Sequence, residues 1–94
     1  MSRLGLLLLT ACAPLPVPIA AMPDASGATV PLERLEEGRA LMIAHCTGCH
    51  APPQPRRKAP EEWPAVVADM AERADVTERE QAAIVTYLSV FSPL

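Results

Sequence analysis

Large aromatic rings are nearly missing from this chain. Of its 94 residues only Trp63, Tyr87 and Phe91 carry one. So short a chain with so few rings builds a poor core by itself, and some further apolar mass has to complete it. Positive charge is also scarce. The net charge is −3 and the pI about 5.2, which argues against a nucleic-acid binder. The only basic run, Arg56-Arg57-Lys58, has no aromatic residues interleaved with it. No phosphate loop, catalytic triad, metal-cluster spacing or internal repeat is visible. Cysteine is limited to Cys12, Cys46 and Cys49, an odd number.

Two of those cysteines sit in Cys46-Thr47-Gly48-Cys49-His50. Two thiols with this spacing, followed at once by a histidine, fit the attachment site of a c-type haem. Cys46 and Cys49 would form the two thioethers, and His50 would supply the proximal nitrogen to iron. A Cys-x-x-Cys also occurs as a thioredoxin-like redox pair or as half of a zinc site. The redox pair needs a βαβ context, and no strand pattern precedes Cys46. The zinc site needs a second ligand pair, and only Cys12 and His45 remain.

The N-terminus reads as an export leader. Met1-Ser2-Arg3 is a short basic start, and Leu4 to Leu9 is apolar except for Gly5. Leu9-Thr10-Ala11-Cys12 resembles the lipobox of bacterial lipoproteins, which implies cleavage after residue 11 and a diacylglyceryl group on Cys12. An ordinary secretory signal cut nearer Ala20-Ala21 and an uncleaved anchor are the competing readings. The apolar stretch is too short and too proline-broken to span a bilayer as a helix. Each reading places the rest of the chain outside the cytoplasm. Residues 12–31, with Pro14, Pro16, Pro18, Pro23 and Pro31, read as an extended tether or disordered lead-in.

From Leu32 the pattern becomes helical. Apolar residues at Leu32, Leu35, Leu41 and Ile43 among charged neighbours predict a helix from Leu32 to about His45, with Pro31 at its start and acidic residues in its first turn. Gly38 inside it is disfavoured by about 1 kcal/mol relative to Ala. The loop 51–60 carries Pro52, Pro53, Pro55 and Pro60 and excludes regular structure. It could wrap the proximal side of a haem, with one carbonyl accepting from His50 and a basic residue pairing with a propionate. Pro60-Glu61-Glu62 marks a second helix start. Trp63, Val66, Val67, Met70, Ala71 and Ala74 then share one face. Thr77 and Glu80 match a capping box, and a last helix runs from Glu78 to about Val90. Its expected stripe is Ala82, Ile84, Val85, Leu88 and Phe91, with Tyr87 beside it.

One axial position is left for a second ligand. Met22 lies in the tether, His45 adjoins Cys46, and Met42 reads as core. Met70, on a separate helix, is the candidate distal ligand. Its thioether is a soft donor suited to low-spin iron, and it raises the reduction potential.

With these residues in view, Leu32 to Leu94 resembles a small monohaem class I cytochrome c. Gly38-Arg39-Ala40-Leu41-Met42 with the Cys46–His50 motif is similar to the family's first helix and haem site. Trp63 to Met70 resembles its ligand segment, and Ala83-Ile84-Val85-Thr86-Tyr87-Leu88 its last helix. The chain departs from the family at Met42, where an aromatic is common, and in a loop that lacks the usual Gly-Pro pattern. The resemblance implies an all-α, orthogonal bundle of about three helices over residues 32–94, around one covalently attached haem c. It also implies a contact between Gly38 and Tyr87. The function expected is one-electron transfer, not catalysis, in the periplasm or at a membrane surface, with membrane-associated redox proteins as partners. A haem-based gas-binding or sensor domain, and a haem subunit of a larger redox complex, are the alternatives.

Overall fold

Local sequence sets the ends of the helices. The structure, a computed structural model, describes residues 14–46 and 53–93. Pro31 is the N-cap of α1 (Leu32–His45), in extended conformation at φ −67° and ψ 154°. Its fixed φ and its lack of an N–H keep the helix from starting earlier. The prolines at 53, 55 and 60 allow only two short 3-10 turns, Pro55–Arg57 and Pro60–Glu62. The second runs directly into α2 (Trp63–Ala74), and the Glu62 carboxylate accepts from the Ala59 N–H at 2.8 Å. Helix α2 stops at Asp75, whose φ of 56° lies in the left-handed region. Thr77 then caps α3 (Glu78–Val90). Its hydroxyl accepts from Glu80 N (3.2 Å) and the Glu80 carboxylate accepts from Thr77 N (3.0 Å), a reciprocal capping box.

The described residues are therefore mostly helical, and the fold is all-α apart from one small hairpin. Helices α1 and α3 make the most extensive contact. Leu35, Gly38 and Met42 are buried on α1, at i, i+3 and i+7. Opposite them Ala83, Ile84, Tyr87 and Leu88 are buried on α3. Gly38 is where the two helices meet: a Cβ there would overlap the Ala83 carbonyl oxygen and approach Tyr87 Cβ to 2.6 Å. That is the contact implied by the resemblance, and it explains a glycine within a helix. The expected α3 stripe needs correcting in phase. Ala82 is exposed, Ala83 is buried, and Tyr87 lies fully inside, its ring 5.2 Å from that of Phe91.

Helix α2 closes the core with Trp63, Val67 and Ala71, one turn apart. The Trp63 indole N–H donates to Ser92 Oγ at 2.7 Å. That hydroxyl also lies 3.0 Å from the Pro55 carbonyl and 2.7 Å from the Leu88 carbonyl. A buried indole is thus satisfied, and the end of the chain is joined to the loop before α2.

The segment expected to be an unpacked lead-in packs onto the helices at Leu15 and Pro18. Leu15 is 4% exposed and belongs to the core cluster, and Pro18 and Val30 are buried as well. The Tyr87 hydroxyl donates to the Pro16 carbonyl (2.5 Å), and Arg39 reaches the Leu15 carbonyl (3.5 Å). Beyond this strap, β1 (Met22–Pro23) pairs antiparallel with β2 (Thr29–Val30), in the register Met22 with Val30. Asp24 organises the turn between them, accepting from Ser26 N (2.9 Å), Ser26 Oγ (2.6 Å) and Ala28 N (3.0 Å). Gly27 takes φ +90°. Prolines forbade helix here, as expected; they did not forbid burial.

Candidate functional site

Cys46 follows the last residue of α1. Its N–H donates to the Met42 carbonyl at 2.8 Å, so the helix carries the thiol out to its own end. The side chain is half-buried. It lines an apolar cleft whose other walls are Val67, Met70, Ala71 and Ala74 of α2, Val76 of the α2–α3 link, and Ile84 of α3. The enclosed cavity is about 10 Å³, room for roughly one water molecule, and the space reaches about 240 Å³ only when the open mouth is counted. Two candidate residues named from sequence, Cys46 and Met70, are thereby brought to one site from different helices. Cys49 and His50 lie outside the described residues, as do the leader and Cys12.

The cleft's electrostatics follow from its lining. No carboxylate, guanidinium or amine is among the lining residues. Burial alone pushes the Cys46 thiol above its ordinary pKa. A redox or nucleophilic cysteine needs the reverse, a thiolate stabilised by nearby positive charge. No cation lines the cleft beside Cys46 among the described residues. Among the described residues, no three His, Cys, Asp or Glu side chains cluster as a metal group.

Other candidates fall away from the cleft. Met42 is fully buried core, as its spacing suggested, and Met22 lies in β1. His45 is the last residue of α1, with Glu80 on α3 nearby. The Glu80 carboxyl is held below its ordinary pKa first by the Thr77 N–H and more weakly by His45. In the loop, Arg56 and Arg57 are exposed and Lys58 is half-buried. Its Gln54 and Ala59 carbonyls accept from Arg57 N and Glu62 N, both at 3.0 Å, and the Pro55 carbonyl faces Ser92. Sequence reasoning missed Val76, because a residue in an interhelical link carries no periodic signal.

The chemistry of the cleft lining suits a haem, whereas its enclosed volume of about 10 Å³ admits one only if the helices move apart. The walls are apolar on three elements, as a porphyrin face requires, and the two soft sulfur atoms needed from the described part of the chain both line it. Compared with known proteins, the chain matches no family model, no curated protein and no solved structure. The resemblance to class I cytochromes c rests on the sequence motifs alone.

Proposed function

We propose that the protein is a one-electron carrier holding a covalent haem c. The observation that carries this reading is the convergence of Cys46 and Met70 on one apolar cleft, next to a Cys-x-x-Cys-His motif. Cys46 and Cys49 would hold the group by thioethers, and His50 and Met70 would be its axial ligands. A haem so bound supplies one-electron exchange at iron. The chain's own part is to exclude water with Val67, Ala71 and Ile84 and to keep a soft sulfur at the distal side. A haem bound there would add apolar mass to a core with only three aromatic residues in the chain.

The leader places this carrier outside the cytoplasm, with a lipid on Cys12 holding it near membrane-bound redox partners. No helix among the described residues is long and apolar enough to cross a membrane. Absorption spectroscopy of the purified holoprotein tests the assignment. A haemochrome typical of two thioethers is expected, with a thioether-to-ferric charge-transfer band that Met70→Ala abolishes while lowering the reduction potential. High-spin ferric iron in the unmodified chain would remove Met70 from the ligand set and favour the gas-binding alternative. Absence of haem from cells competent to attach it would end the reading altogether.

A further inference from the structure

We propose that the outward side of the strap at residues 14–19 is a lipid-contact surface, which fixes how the domain sits on a membrane. This rests on the reading of Cys12 as a lipidated residue. The strap turns Leu15 and Pro18 inward and leaves Val17 63% and Ile19 87% exposed. Among the described residues, the other exposed large apolar side chain is Ile43, at 45%. Covering their apolar surface would be favourable by about 25 cal/mol per Å² removed from water.

What covers them follows from where the strap begins. Its carbonyls are fastened to both long helices, Leu15 by Arg39 and Pro16 by Tyr87. Only Ala13 separates Cys12 from Pro14, so the two Cα atoms are at most about 8 Å apart. A flexible tether over all of residues 12–31 would have allowed a reach of roughly 25 Å and free tumbling. The docked strap removes that freedom. Acyl chains on Cys12 would bring Pro14 to the headgroup layer, with Val17 and Ile19 following within a few residues. Apolar side chains at that depth gain a favourable environment while the backbone stays among polar groups. The occupant is therefore a phospholipid surface, held there by the chain's own anchor.

The test is photo-crosslinking of the full chain in the membranes of cells that process lipoproteins. p-Benzoylphenylalanine is placed at Ile19, at Val17 or, as a control, at exposed Glu72 on α2. Phospholipid adducts are expected to be about tenfold more abundant from the strap positions than from Glu72. Equal labelling at all three positions would mean a freely tumbling domain and would overturn the proposal. So would adducts at Ile19 formed mainly with a protein. The mass of the mature chain separates the two ideas. A lipidated chain without strap adducts defeats the orientation alone, whereas an unlipidated chain without them defeats the Cys12 reading as well.

Discussion

Gly38 and Tyr87 are the residues whose chemistry the fold uses most directly. In an open helix Gly38→Ala would gain about 1 kcal/mol from propensity. Here the added methyl meets the Ala83 carbonyl and Tyr87 Cβ, and backbone cannot step aside as a flexible side-chain tip can. The expected result is a net loss of about 1–3 kcal/mol, read from the denaturant midpoint. Tyr87 has a second duty, because its hydroxyl holds the strap. Burial pushes its pKa up to about 12, opposed in part by Arg39. A raised folded pKa means that the unfolded chain loses its proton first. The associated stability is intact below about pH 10 and is lost as pH rises toward 12. Tyr87→Phe should lower stability by about 1–2 kcal/mol at neutral pH through the lost hydrogen bond. It should also flatten the alkaline decline of the melting temperature. An unchanged alkaline profile would show that the hydroxyl is solvated.

Among the elements, the strap makes the sharpest claim. Leu15→Ala should cost about 2–3 kcal/mol, as for a buried leucine, whereas the same change in a passive tether would cost nothing measurable. Chemical unfolding of the two chains decides between them. The contrast also shows what could be read from sequence. Helix α1 begins and ends where predicted because Pro31 and the Cys46 motif bound it, and α3 begins where the Thr77–Glu80 box places it. These signals are local. The burial of Leu15 and Pro18 is not, because an extended segment gains burial from helices more than twenty residues away. Proline composition reports only what it cannot be. Stripe phase failed at Ala82 for a related reason: alanine fits both faces of a helix, and only the close approach at Gly38 selects Ala83. At the site, Met70 was legible from its helical spacing and Val76 was not.

For the molecule as a whole, the proposed haem would join the core through the cleft that Cys46 and Met70 line. Chain made without haem attachment should unfold at a lower midpoint than the holoprotein and bind a hydrophobic dye that attachment displaces. Equal midpoints and equal dye binding would show that the cleft contributes nothing to stability. The far end of the same core is closed by Ser92. Its hydroxyl accepts a hydrogen bond from the Trp63 N–H and has two carbonyls, of Pro55 and Leu88, within reach of the single proton it can donate. It can serve one of them at a time. When that proton turns toward Leu88, the turn that follows the Cys46–His50 segment loses a hydrogen bond although no heavy atom has moved.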